Sequence, residues 1–250
     1  HTDEAVSASP AVEQSSGPQQ TFADFDVRSD IVDALAAKGI IHPFPIQSMT
    51  LPVALRGRDI IGQAQTGTGK TLGFGIPLLQ SSVAPGEDNP DGREIGKPQA
   101  LVVLPTRELA VQVAKDLEDA TAKRPLRILT VYGGRAYEPQ IEALTRGVEV
   151  VVGTPGRLID LMRQKYLDLS QVRTAVLDEA DEMLDLGFLE DIEKLLQAVP
   201  VKRQTMLFSA TMPGPILALA RRFMVQPTHI RAQDPSDSSR TKADIKQVVY

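Results

Sequence analysis

Seven short apolar runs recur along the chain, and helical patterns separate most of them. They are Asp59-Ile60-Ile61, Ala100 to Leu104, Arg127 to Tyr132, Val148 to Val152, Thr174 to Leu177, Thr205 to Phe208 and Thr228-His229-Ile230. Runs such as Leu101-Val102-Val103-Leu104 are apolar at every position rather than at every second one, so both faces of the strand need cover. Residues 107–120 and 188–198 are examples of the intervening helical stretches. This alternation predicts an α/β fold, a mostly parallel β-sheet sandwiched by helices on both faces. Ligands in such folds sit at the carboxyl ends of the strands.

Ala64-Gln65-Thr66-Gly67-Thr68-Gly69-Lys70-Thr71 lies at one such end, after Ile60-Ile61 and before a helix-like run from Leu72. Gly67 and Gly69 let backbone N–H groups converge on phosphate oxygens without Cβ obstruction, and a helix start adds its positive end. Lys70 can then reach the β- and γ-phosphates, and the Thr71 hydroxyl suits a magnesium shell. Ala64 stands where the usual phosphate loop has its first glycine. About a hundred residues on, Thr174 to Leu177 reads as a buried strand closing on Asp178-Glu179-Ala180-Asp181. Asp178 is placed to hold magnesium, directly or through water, and Glu179 to activate or position the attacking water. An isolated acid pair is as well read as a solvated helix start; its order after a phosphate loop favours the ATP reading. Lys70, Asp178 and Glu179 are therefore the catalytic candidates.

Composition narrows the setting. A chain of 250 residues with 42% hydrophobic content can bury a full core. It has no apolar stretch of membrane-spanning length and no charged-then-apolar signal pattern, which predicts a cytoplasmic protein without a membrane partner. With no cysteine, disulfides and thiolate metal sites are excluded. The net charge of −5 argues against broad adhesion to nucleic acid, so any such site must be local. Residues 1–20, rich in Ser, Gln, Pro and Ala, read as a disordered leader, and 82–98 as a surface loop. Residues 21–235 are assigned to one domain. Apolar alternation resumes at Ile245, so 236–250 read as a linker or incoming strand.

The order of these motifs resembles the DEAD-box ATP-dependent RNA helicases, in particular their first RecA-like, P-loop NTPase domain, from Phe22 to about Thr211. Gly39-Ile40-Ile41-His42-Pro43-Phe44-Pro45-Ile46-Gln47, with Phe22 upstream, is similar to the family's adenine-reading segment. The resemblance assigns Phe22, Ile40, Gln47 and Gln65, Thr66, Gly67, Thr68, Gly69, Lys70 and Thr71 to ATP and its product ADP, with Mg2+ at Thr71 and Asp178. A Gln amide can both give to and take from an adenine edge. The family's aromatic at position 40 and Thr at position 44 are replaced by Ile40 and Phe44, so adenine stacking is expected either to be weaker or to be supplied differently. Pro105-Thr106-Arg107, Gly133-Gly134 and Thr154-Pro155-Gly156-Arg157 resemble RNA-backbone contacts. Helix starts, glycine amides and two arginines grip phosphates without reading bases, so the expected partner is single-stranded or duplex RNA of any sequence. Ser209-Ala210-Thr211 resembles the motif that couples the two sites, through Asp181.

The family's second, C-terminal RecA-like domain carries arginines that complete the ATP site, and no His-Arg-x-Gly-Arg pattern occurs in this chain. The resemblance thus implies the ATP-binding half of an RNA-stimulated ATP hydrolase that unwinds short duplexes once joined to its partner domain. Alone it is expected to be monomeric and nearly inactive, since arginine fingers contribute roughly 10³ to 10⁵ in rate in related hydrolases. The alternative is a nucleotide-binding regulatory module without catalysis.

Overall fold

The computed structural model describes residues 18–65 and 69–232, together with the backbone of 245–247. The strands are β1 (Ile60–Gln63), β2 (Ala100–Val103), β3 (Ile128–Val131), β4 (Val150–Gly153), β5 (Thr174–Leu177), β6 (Gln204–Ser209), β7 (Thr228–Arg231) and β8 (Ile245–Gln247). The helices are α1 (Ser29–Ala36), α2 (Pro45–Ala54), α3 (Thr71–Ser81), α4 (Arg107–Ala120), α5 (Glu138–Arg146), α6 (Pro155–Arg163), α7 (Ala180–Asp185), α8 (Leu189–Ala198) and α9 (Gly214–Phe223). All seven predicted strands form, each within two residues of its expected bounds. They pair in parallel, in the order β3-β4-β2-β5-β6-β1-β7, and β8 adds antiparallel at the β7 edge.

The pleat explains why the strands lack alternation. Val102, Val152, Val176 and Phe208 face one buried cluster with α1 to α4, while Leu101, Val103, Val151 and Leu207 face a second with α6 to α9. The helices that cover these faces are amphipathic: α4 buries Ala110, Val113, Ala114, Leu117 and Ala120 along one stripe. Thr106 caps its start, its hydroxyl accepting from the Leu109 amide at 3.3 Å.

Two expectations are amended. The 82–98 loop carries no regular element, yet it is pinned to the body: Glu87 accepts from Arg124 and Arg28, and Gln99 is bonded to both the amide and the carbonyl of Val83. Of the segment expected as a linker or incoming strand, residues 245–247 form a strand, and it pairs antiparallel with β7 of this same sheet. The leader before residue 18 and the rest of the expected linker lie outside the described residues. Among the described residues, no helix is long and apolar enough to cross a membrane.

Strand order sorts the candidate residues into two groups. β5, β6 and β1 are neighbours, so the segments after them, Asp178-Glu179, Ser209 to Thr211 and the phosphate loop, share one half of the carboxyl edge. β3, β4 and β2 are also neighbours, which gathers Gly133-Gly134, Thr154 to Arg157 and Pro105 to Arg107 on the other half. From β4 to β1 is four strand spacings, about 19 Å.

Candidate ATP and nucleic-acid site

At the β1 end, Gly69 has φ +72°, a left-handed conformation open to glycine at no steric cost, and Lys70 and Thr71 begin α3. Thr66, Gly67 and Thr68 lie outside the described residues, and Gln65 is exposed beside them. Ala64 is buried, and its amide donates to the Ser209 carbonyl at 3.2 Å, tying the loop to β6. Lys70 is 6% exposed and its Nζ donates to Glu179 Oε1 at 2.7 Å, with Asp178 Oδ1 at 3.1 Å. One ammonium thus serves two buried carboxylates. Burial works against the charge on Lys70, but Asp178 and Glu179 outweigh it and hold its pKa above the ordinary lysine value. Asp178 is pushed up to about 6, by burial first; Lys70 opposes the shift and the neighbouring Glu179 charge adds to it.

Glu179 sits at φ 53°, ψ 46° just before α7, left-handed for a residue with a Cβ. Its amide donates to Asp178 Oδ1 at 2.9 Å, so the turn fixes both carboxylates together. The hard oxygens of Asp178 and Thr71 suit a magnesium ion that keeps most of its waters, and the surplus negative charge suits a divalent cation. One helical turn on, Asp181 Oδ2 accepts from the Thr211 amide at 3.1 Å and from the Thr211 hydroxyl at 2.9 Å. The Ser209 hydroxyl accepts from the Asp181 amide at 3.1 Å, so Ser209 holds the backbone at Asp181. Burial acts to raise Asp181, and these hydrogen bonds win, leaving its pKa below the ordinary value.

The adenine-reading segment is arranged differently from the expectation. Phe22 is 1% exposed within the core, its amide donating to the Ile41 carbonyl at 3.3 Å, so its ring offers no free face. Ile40 is half-buried against the same cluster. Gln47 Oε1 accepts from the Phe44 amide at 3.0 Å and Gln47 Nε2 donates to the Gly69 carbonyl. The amide expected to read a base here staples the segment to the phosphate loop.

On the other half of the edge, Arg107, Gly133, Gly134 and Gly156 are exposed and Thr106 and Thr154 half-buried, at or beside the starts of α4 and α6. Thr154 makes no side-chain cap, leaving its hydroxyl available at the head of α6. Pro105 and Pro155 are buried and shape the turns. Arg157 is placed otherwise than expected. It is 8% exposed, donates to Gln140 Oε1 at 3.1 Å and to the Arg135 carbonyl at 2.9 Å, and lies 3.8 Å from the Tyr137 ring centre. Its charge is spent inside the chain, holding the Gly133-Gly134 turn against α6. Sequence reasoning missed Tyr132 and Arg135. The Arg107 and Arg135 guanidiniums each lie 5.5 Å from the Tyr132 ring centre. A tyrosine closing a strand before a Gly-Gly-Arg turn was the available signal; it has no periodicity to mark it.

Residues 44–219 match the DEAD/DEAH box helicase family model, a span that includes the phosphate loop, the acid pair and Thr211. The chain belongs to this family. Among relatives, the DEAD-box ATP-dependent RNA helicase CshA of Bacillus licheniformis is 47% identical over 213 residues, covering 85% of this chain and 42% of that protein. The ATP-dependent RNA helicase DeaD of Escherichia coli K12 is 46% identical over 230 residues, covering 92% of this chain and 35% of that protein. The crystal structure of a DEAD box protein from Methanococcus jannaschii superposes with a TM-score of 0.79 at 39% identity, over 87% of this chain and 57% of that one. The chain therefore spans less than half the length of the CshA and DeaD relatives, and its sheet is the RecA-like one the motifs implied.

Proposed function

We propose that this chain is the ATP-binding half of an RNA helicase that hydrolyses ATP in response to RNA and separates short duplexes when joined to a second RecA-like domain. The observation that carries this reading is the contact of Lys70, at the head of α3, with Asp178 and Glu179 at the end of β5, two strands away. Three buried charged side chains from distant segments meet where phosphate chemistry would occur, and the relatives named above are ATP-dependent RNA helicases.

In this reading Lys70 exchanges its carboxylate partners for phosphate oxygens, and Gly69 and the start of α3 donate backbone N–H groups. Asp178 and Thr71 hold the magnesium ion, which when bound neutralises charge on the β- and γ-phosphates. Glu179, released from Lys70, orients the attacking water. Asp181 and Thr211 link that acid turn to the β6 end, so a shift at Asp178 moves the loop facing the second domain. Arg107, the Gly133-Gly134 amides, Thr154 and the head of α6 take RNA phosphates, and Arg157 is the positioning residue beneath them.

Calorimetric titration with MgATP, paired with hydrolysis assays with and without single-stranded RNA, tests this. Binding is expected for the chain and lost on Lys70→Ala, with negligible turnover until the second domain is supplied. ATP affinity unchanged by Lys70→Ala would sink the reading.

A further inference from the structure

A cavity of about 200 Å³ opens beside the phosphate loop, between the Gln47 segment, the first turn of α3 and the last turns of α4. Its lining includes Ile40, Phe44, Gln47, Leu72, Asp116 and Asp119, and no lysine or arginine. Asp119 is offset in part by Lys38 and Lys115 at 3.8 and 3.7 Å, but Asp116 keeps the cavity wall acidic. A polyphosphate is repelled from such a wall and drawn to Gly69, Lys70 and Thr71 at its margin, so the cavity takes the nucleobase end of a nucleotide.

A base needs a flat apolar face to stack on, and the cavity has a single phenylalanine, tyrosine or tryptophan side chain in its lining, Phe44. Ile40 is aliphatic and packed against the core, and Phe22 is enclosed. Phe44 is 59% exposed, so much of its ring is open to a ligand. Its backbone is set in advance. Pro45 restricts it to extended values, observed as φ −68°, ψ 159°, and its amide is bonded to Gln47 Oε1. Its ring lies over Gly69, where any Cβ would collide with it. Phe44 thus stands between the base cavity and the phosphate loop with one face still open.

We propose that Phe44 is the aromatic face on which the base of a bound adenine nucleotide stacks, making the contact that Ile40 cannot. The proposal rests on the nucleotide-binding reading above and adds to it the residue that grips the base. Loss of one base–aromatic stack corresponds to roughly a 5- to 150-fold weaker association.

The test compares MgATP with magnesium tripolyphosphate, which lacks a base, on the unsubstituted chain and on Phe44→Ala, Phe44→Leu and Phe44→Tyr. Expected is a loss of ATP affinity in that range for Ala and Leu, recovery with Tyr, and tripolyphosphate affinity within about 2-fold throughout. Leu keeps apolar bulk over Gly69, and thermal unfolding checks that each variant is folded. The chain has no tryptophan, so Phe44→Trp supplies a lone indole whose emission should respond to ATP and AMP and not to tripolyphosphate. Equal weakening of both ligands would mean that Phe44 only seats the phosphate loop, and unchanged ATP affinity that it touches nothing; either overturns the inference. If Lys70→Ala abolishes ATP binding while the Phe44 variants do not, this inference alone falls. If the unsubstituted chain binds no ATP, both readings fall together.

Discussion

Two ion clusters hold the domain together at different places, and their carboxyls shift in opposite directions although burial pushes both upward. Under the 82–98 loop, Arg124 is 1% exposed and donates to the carbonyls of Leu79 and Ser82 at 2.7 and 2.8 Å and to both oxygens of Glu87. Glu87 also accepts from Arg28 and the Ala84 amide. That carboxyl is pushed down to about 2, chiefly by the Arg124 hydrogen bonds. At the ATP site two carboxylates share one lysine, and Asp178 is pushed up to about 6. What differs is the ratio of donors to acids. One acid among two arginines has donors enough to outweigh burial; two acids around one ammonium leave a negative charge unmatched. A stability device and a cation-binding device can be built from the same residue types, and this ratio separates them.

The largest expected effect breaks the first cluster. Arg124→Ala takes the guanidinium away from Glu87 and from the Leu79 and Ser82 carbonyls while Arg28 and the Ala84 amide stay on Glu87, and removing one partner of a fully buried pair, the upper bound here, costs about 3–5 kcal/mol. That corresponds to roughly 6–20 °C in Tm for a chain of this size. Asp178→Asn removes an acid that folding already penalises, so its Tm should stay within a few degrees of the parent while hydrolysis by the two-domain protein is abolished. Scanning calorimetry of the two variants compares them directly. Equal losses would show that the Lys70 cluster is as much a structural clasp as the loop cluster.

A smaller effect sharpens the contrast through pH. Glu87 has a folded pKa of about 2 against an ordinary 4.5, so its stabilisation is complete above about 4.5 and is lost as pH falls toward 2. Solvent screening at this partly exposed carboxyl holds that contribution to about 1 kcal/mol, which Glu87→Gln should lose at pH 7, with the gap to the parent closing toward pH 2. Asp178 runs the other way. Its folded pKa lies above the ordinary 3.8, so between about 4 and 6 the native state holds the extra proton and stability declines as pH rises. Urea titrations should show that Glu87→Gln flattens the slope below pH 4.5 and Asp178→Asn the slope from about 4 to 6. An unchanged slope in either window removes that residue from the argument.

The sheet was legible because central strands such as Leu101-Val102-Val103 and Val150-Val151-Val152 are continuous apolar runs, as double-sided burial requires, and because Arg107 to Ala120 carries its period in full. The Lys70, Asp178 and Glu179 meeting was legible because order along the chain plus parallel topology places strand ends together. What could not be read was the direction of side chains whose neighbours come from other segments. Arg157 looked like a free charge at a helix start, and only the arrival of Gln140, Tyr137 and the Arg135 carbonyl buries it. Gln47 looked like a base reader, and only the position of Gly69 shows what its amide bonds. The pinned loop escaped for the same reason, since Arg124 lies 37 residues from Glu87.

The smallest prediction concerns backbone strain, where the two clusters differ again. The loop under Glu87 takes positive φ at Gly86, Gly92 and Gly96, all glycines, and at no other residue from 82 to 98. The ATP site puts Glu179 at φ 53°, because a glycine there would forfeit the carboxylate. A side chain in that region costs about 1–2 kcal/mol. Glu179→Ala and Glu179→Gly both lose the contact with Lys70, so their difference cancels the ion pair and isolates the backbone. Gly should be the more stable by about 1 kcal/mol after its greater unfolded-state freedom is subtracted, a gap that denaturant unfolding resolves. If Ala equals or exceeds Gly, the acid turn is unstrained, and the site holds its carboxylates in place without the cost that the loop's glycines avoid.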